Sequence, residues 1–317
     1  MTPGGAAAIG VDLGGSKTAV GLVDQHGTVL ELQTVPTAPR RGADAVIAEV
    51  AQLVTALLVA GERSGLEVRG VGLATAGIVD GREGVLIAAT DSLPGFAPLP
   101  LRADLANATG RDVVVLNDVQ AMAIGELNFG AAVGAREALF VAVGTGVGGA
   151  IAHEGRLAMG AHGSAGDIGH VVVDWSSGAR RCPCGRLGHL EAYVSGPALA
   201  AAYKRRVGVP LSGDDLRPVV VRAAGEDPVA KGVLREGALL LGRVVGGLAN
   251  LMDIDLVVFG GGLVDVSPGL FWDSVGDAVR AEIRAPWCPR MALATLGKDA
   301  AVVGAAAVAI GGTAKAG

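Results

Sequence analysis

The chain has 317 residues, 26 Lys and Arg against 31 Asp and Glu, and a net charge of −5. That length suffices for two domains with cores of their own, and with no basic block the composition offers nothing to a nucleic acid or an anionic membrane surface. Half of the residues are hydrophobic but only 3% are aromatic, so the cores must be built from Val, Leu, Ile and Ala. The 51 glycines fall mostly in short motifs between apolar runs, a pattern of tight turns and close backbone approaches rather than of disorder. The opening MTPGGAAAIGVDLGG has no basic segment followed by an apolar core, so no signal peptide is expected. The longest uncharged apolar tract, AAVVGAAAVAIGG, is too short to span a bilayer. The expectation is a cytoplasmic protein with no membrane partner.

In chain order, residues 7–35 read as three strands joined by turns, the first running into Gly14-Gly15. Residues 43–60 carry apolar side chains at helical spacing and stop at Gly61. A buried strand over 68–77, a helix over 99–110 and a strand over 111–118 follow, then a helix from Val119. Residues 136–157 repeat the opening plan of strand, glycine turn, strand, which hints at two related halves. Helices are expected near 196–207, 214–224 and 227–250, then a strand ending in Gly260-Gly261-Gly262, a helix from Phe271 and a last alanine-rich helix. Strands alternating with helices predict α/β layers, with a domain boundary close to residue 118.

Residues 163–196 concentrate the chemistry. Two of only three cysteines, Cys182 and Cys184, stand one residue apart in a Cys-Pro-Cys-Gly turn, with His170 upstream and His189 downstream. These four suit a closed tetrahedral zinc site. The plainer alternative is two buried thiols and two surface histidines. A disulfide is disfavoured, because so short a loop strains the bridge. Asp167 and Glu191 flank the four ligands, so a structural metal would hold both carboxylates in a substrate wall.

Three glycine turns can meet phosphate. Asp12-Leu-Gly-Gly-Ser-Lys-Thr joins two strands; Gly14, Gly15, Ser16 and Lys17 can line phosphate oxygens, and Asp12 can hold Mg²⁺ directly or through water. Gly144-Thr145-Gly146 is the second turn, and Gly261-Gly262 lets a flat nucleotide lie on bare backbone. An ordinary hairpin explains the first equally well and a strand-to-helix connection the third, and the combination of all three in order is the stronger signal. None is a P-loop. Asn117-Asp118 ends a strand, where a carboxylate can take the proton of an attacking sugar hydroxyl while Asn117 orients the ring. The alternative is that Asp118 caps the next helix.

DLGGSKT at 12–18, LPG at 93–95, LNDVQAMAIGE at 116–126, GTGVGGA at 144–150, AGDIGH at 165–170, CPCGRLGHLE at 182–191 and FGGG at 259–262 together resemble the ROK family of sugar kinases. The resemblance covers nearly the whole chain and extends more broadly to the hexokinase–actin–Hsp70 ATPase superfamily. It implies an α/β, two-domain actin-like ATPase (ribonuclease H-like) fold with an interdomain cleft. Residues 1–118 with a C-terminal helix of about 300–317 would form the small domain, and 119–299 the large one with the zinc-binding loop.

It further implies that Asp118 is the catalytic base and that Gly77, Asn117, Asp118, Asp167, His170 and Glu191 hold the sugar. His170, Cys182, Cys184 and His189 would bind structural Zn²⁺. The implied activity is ATP- and Mg²⁺-dependent phosphorylation of the 6-hydroxyl of a hexose, glucose first, by a homodimer or homotetramer. Polyphosphate is the other donor to weigh, and regulation is left open. His189 stands where many members have a third cysteine, and Ser16 where a threonine is common. Asp167 replaces a glutamate that grips the sugar near C1–C2, which retracts the carboxylate by roughly 1.5 Å. That makes N-acetylmannosamine, or another 2-amino or N-acyl hexose, the runner-up substrate. A sugar-responsive regulator would need a DNA-binding extension, and DLGG arrives within the first fifteen residues. A binding protein without catalysis would have no use for Asp118 and two phosphate turns.

Overall fold

The computed structural model describes residues 5–90, 92–208, 215–266, 269–284 and 286–311. Its elements run β1 (Ala6–Leu13), β2 (Lys17–Asp24), β3 (Val29–Pro36), α1 (Ala43–Arg63), β4 (Glu67–Thr75), β5 (Ile78–Asp80), β6 (Val85–Ala88), α2 (Leu101–Thr109), β7 (Val113–Asn117) and α3 (Asp118–Phe129). They continue with β8 (Ala138–Val143), β9 (Val147–His153), β10 (Arg156–Ala158), α4 (Glu191–Val194), α5 (Gly196–Val207), α6 (Arg217–Ala224), α7 (Pro228–Met252), β11 (Leu256–Gly260), α8 (Gly262–Val266), α9 (Gly269–Glu282), β12 (Arg290–Leu293) and α10 (Ala300–Ile310). The protein has the α/β actin-like ATPase fold.

Two five-stranded sheets share one plan, with strand orders β3-β2-β1-β4-β7 and β10-β9-β8-β11-β12. The strand–turn–strand pattern read at both places in the sequence thus opens each sheet. In each, the parallel strands end in step. Leu13 pairs with Thr75 and Thr75 with Asn117, while Phe259 pairs with both Val141 and Leu293. Ligands of parallel sheets gather beyond such carboxyl ends, and Asp12, Asn117, Asp118, Gly144 and Gly261 lie at or just past them.

The chain divides into two compact units, residues 1–136, 150–165 and 298–317 in one and 137–149 and 166–297 in the other. The first passage between them comes after Arg136 rather than at 118. The reason is α3, which packs on α10 within the first unit. Glycines make that packing close. A Cβ on Gly304 would lie 1.7 Å from the Ala121 carbonyl oxygen, and one on Gly10 or Gly72 would lie 1.9 Å from a carbonyl of α10. On β1, period-two alternation sends Ile9, Val11 and Leu13 to the other face, into a core shared with Val46, Val50, Val54 and Leu57 of α1. Among the described residues α1 is also the one helix long and apolar enough to cross a bilayer. Its apolar stripe is buried in this core.

In the second unit α7 packs against α9, where a Cβ on Gly242 would lie 2.5 Å from the Ala278 Cβ. Asp227 caps α7 by accepting from the Val229 and Ala230 N–H groups at 2.8 and 3.1 Å. The segment read as one long strand into Gly262 is split. β11 ends at Gly260, and Gly261, at φ +86°, turns the chain into α8. The hairpin of β5 with β6 and the edge strand β12 were not expected from the sequence. Part of the helix expected over 214–224 lies outside the described residues.

Candidate functional site

In the first unit the site grows from the ends of β1, β4 and β7. Asn117 closes β7 and caps α3. Its side-chain oxygen accepts from the Val119 and Gln120 N–H groups at 2.9 and 3.3 Å, while Gln120 Oε1 accepts from the Asn117 N–H at 3.3 Å. This reciprocal pair is a capping box. The cap is therefore Asn117, which disposes of the alternative that Asp118 is needed there. Asn117 Nδ2 donates to the Gly77 carbonyl at 3.0 Å. Two expected sugar residues are thereby joined. Gly77 sits at φ +112°, with a Cβ position only 2.2 Å from the Ala88 carbonyl oxygen. Glycine is required there on both counts.

Asp118 opens α3, and one of its oxygens accepts from the Val119 N–H at 2.9 Å. Burial pushes its carboxyl up to about 6, against the pull of the Val119 N–H and the Asn117 side chain. Asp12, near the end of β1, is pushed up to about 7 by burial first and by the charge of Asp118 second, with Lys17 acting in the opposite sense. Two neighbouring buried carboxylates, one raised further by the charge of the other, suit a site where a cation or a proton is to be held. Asp12 could hold a magnesium ion in that role.

The turn between β1 and β2 is braced by residues the sequence reading passed over. Thr37 Oγ1 donates to the Gly14 carbonyl at 2.6 Å and lies 2.8 Å from Thr18 Oγ1. The Thr37 N–H bonds the Ser16 carbonyl at 3.2 Å. Gly15 packs on Ser92, with its Cβ position 2.4 Å from the Ser92 Cβ. Ser16 and Lys17 stand exposed beside them.

In the second unit the turns at Gly144–Gly146 and Gly261–Gly262 adjoin. A Cβ on Gly144 would lie 3.6 Å from the Gly262 nitrogen, and one on Gly261 would lie 2.6 Å from the Val143 carbonyl oxygen. Thr145 and Gly146 are exposed.

His170, Cys182, Cys184 and His189 converge, each offering a donor atom within 4.8 Å of the others. His170 Nδ1 lies 3.3 Å from His189 Nδ1 and 3.8 Å from Cys182 Sγ, and Cys184 Sγ lies 3.2 Å from His189 Nδ1. A tetrahedral zinc with bonds of about 2.3 Å to sulfur and about 2.0–2.1 Å to nitrogen sets its donors about 3.3–3.8 Å apart. The donor set therefore fits such an ion. All three cysteines are free thiols, so no disulfide competes.

The other ring nitrogen of His170, Nε2, faces Asp167 Oδ2 at 3.8 Å, and both side chains are open to solvent. Glu191, at the start of α4, turns one oxygen to Cys182 Sγ at 3.7 Å and accepts from the Val147 N–H with the other at 2.8 Å.

The ROK family model matches residues 8–311. A glucokinase of Streptomyces coelicolor is 33% identical over 95% of this chain and 96% of its own length. An N-acetylmannosamine kinase of Salmonella newport is 30% identical over 96% of this chain and 99% of its own. Among solved structures, a ROK family glucokinase from Streptomyces griseus in complex with glucose and AMPPNP aligns with a TM-score of 0.82 at 32% identity. That alignment covers 97% of this chain and all of the other.

Proposed function

This chain belongs to the ROK family and is a sugar kinase, and from that premise we propose that it transfers the terminal phosphoryl group of ATP to the 6-hydroxyl of a hexose, glucose first. The observation that carries this reading is Asp118. It is a carboxylate held at a strand end by a capped helix, beside a second carboxylate, with its titration near 6. A base poised just below neutrality is ionised at pH 7 and still basic enough to share a hydroxyl proton.

In this reading Asp118 accepts the proton of the 6-hydroxyl as that oxygen attacks phosphorus in line. The Asn117 side chain and the backbone at Gly77 orient the ring, with Asp167, His170 and Glu191 as the further sugar ligands. The backbone of Gly14, Gly15, Gly144 and Gly146, with Thr145, Ser16 and Lys17, receives phosphate oxygens. Gly261 and Gly262 leave room for the nucleoside. Magnesium, held through Asp12, would neutralise charge developing on the phosphoryl oxygens. Zinc on His170, Cys182, Cys184 and His189 would be structural, fixing the ring of His170 so that Nε2 stays available to sugar.

N-acetylmannosamine is the second reading. Asp167 is one methylene shorter than the glutamate expected there and lies toward His170 Nε2, which favours a larger group at C2. Relatives of both names stand at similar identity. We expect a cytoplasmic homodimer or homotetramer.

The test is Asp118→Asn. Turnover should fall about a thousandfold, with sugar affinity by calorimetry within a few-fold of wild type. A variant that keeps more than a few per cent of kcat removes Asp118 from the role of base.

A further inference from the structure

We propose that Glu191 is a positioning residue for the nucleotide in addition to its sugar role: its carboxylate fastens the Gly144–Gly146 turn to the loop that carries Asp167 and His170. What the turn binds rests on the kinase reading above; the fastening is a set of contacts within one unit.

Two observations converge on Val147, the residue that follows the turn, and a third on Gly149 beyond it. Its N–H donates to Glu191 Oε2 at 2.8 Å. Its carbonyl is covered by Gly169, the residue before His170, so closely that a Cβ there would lie 1.9 Å from the oxygen. Gly149, two residues on, lies against the Gly166 carbonyl, with its Cβ position 2.4 Å away. The same segment also holds the turn at its other end, where the Gly196 N–H donates to the Gly144 carbonyl at 2.9 Å. The 166–196 stretch thus touches the turn at its first glycine and again just after its last.

Glu191 supplies the charged link in this set. A charge-assisted bond to a backbone N–H is among the stronger hydrogen bonds, and it aligns the amide that ends the turn. It also explains the glycine at 146, because a Cβ there would lie 2.7 Å from Glu191 Oε2. A sugar that engages Glu191 would order this carboxylate, and with it the turn. Two ligands that share one ordering step bind with positive coupling.

The experiment uses the full chain and compares wild type with Glu191→Ala and Glu191→Gln. It reads the exchange rate of the Val147 amide in the unliganded protein, and the Kd of a non-hydrolysable ATP analogue with Mg²⁺ and no sugar. In Glu191→Ala the Val147 amide should exchange at least about tenfold faster, and the analogue Kd should rise about tenfold. Glu191→Gln keeps an acceptor oxygen, so its analogue Kd should stay within about twofold while glucose binding weakens.

Glu191→Ala that weakens glucose yet leaves both Val147 exchange and analogue affinity unchanged overturns the proposal. A wild-type chain that binds no analogue removes the kinase reading instead, and Val147 exchange then decides the fastening alone. Should Glu191→Ala not fold, Gly146→Ala displaces the same carboxylate from the other side. It should weaken glucose binding several-fold, and unchanged glucose affinity there counts against the link.

Discussion

The turn at Gly14–Lys17 and the turn at Gly144–Gly146 follow one sequence plan and open sheets of one strand order, yet different chemistry holds each in place. Around the first, the Thr37 hydroxyl and N–H and the Ser92 side chain close on the glycine backbone. These partners are neutral and have no other expected task. Around the second, a backbone bond from the Gly196 N–H is joined by the Glu191 carboxylate, which also faces Cys182 and is itself an expected sugar ligand. Duplication of a fold therefore does not duplicate its mechanics. A turn braced by uncommitted hydroxyls keeps its shape whatever else is bound, whereas one braced by a shared carboxylate responds to whatever engages that carboxylate.

The largest test of this contrast is removal of the zinc proposed at the Cys/His cluster. Chelation, or Cys184→Ser, should loosen the 166–196 loop on the Glu191 side and leave the Thr37 side intact. Sugar affinity should then fall by up to about 100-fold and nucleotide affinity by less, read by calorimetry beside metal content. A chelated protein with unchanged glucose affinity breaks the link between cluster and sugar.

Thr37→Val should do the converse on a smaller scale. It removes the donor to the Gly14 carbonyl and leaves Thr18 without its partner. Nucleotide Kd should rise about five- to tenfold while glucose Kd does not move. A shift in both would mean that the first turn is coupled to sugar as well.

The smallest effect is on stability. The Asp118 and Asp12 carboxyls titrate at about 6 and about 7, above the usual 3.8. Between these limits the unfolded chain has already lost protons that the folded chain retains. Stability should therefore decline as pH rises from about 4 to 7, while turnover rises over the upper part of that window as Asp118 ionises. Asp118→Asn should flatten the stability slope and raise Tm at pH 7.5 by a few degrees, read by thermal melts. A melt independent of pH in this range would deny the burial of the pair.

Much of this was legible in the sequence because the signals are local. The strand–glycine–strand plan, the amphipathic run of α1 and the four cluster residues each declare themselves within a few positions. Asn117-Asp118 was found as well, though the capping box that assigns the cap to Asn117 needed Gln120 in view. What the sequence concealed depends on distance along the chain. Thr37 lies 23 residues from Gly14, and Glu191 lies 44 from Val147. Neither residue type carries a pattern that names so remote a partner. The division into compact units after Arg136 depends on distance in the same way. The end of β7 marks a motif, but α3 stays with the first unit because Gly304 of α10, far downstream, lets the two helices pack.

The most direct test of the kinase reading is ADP release by the wild-type chain with ATP and Mg²⁺, against glucose, mannose, glucosamine, N-acetylglucosamine and N-acetylmannosamine. The account predicts turnover with product phosphorylated at the 6-hydroxyl and the highest kcat/KM for glucose. Preference for an N-acyl sugar would transfer the specificity to Asp167, and Asp167→Glu should then move it back toward glucose. No ADP release with any sugar in the panel would contradict the account.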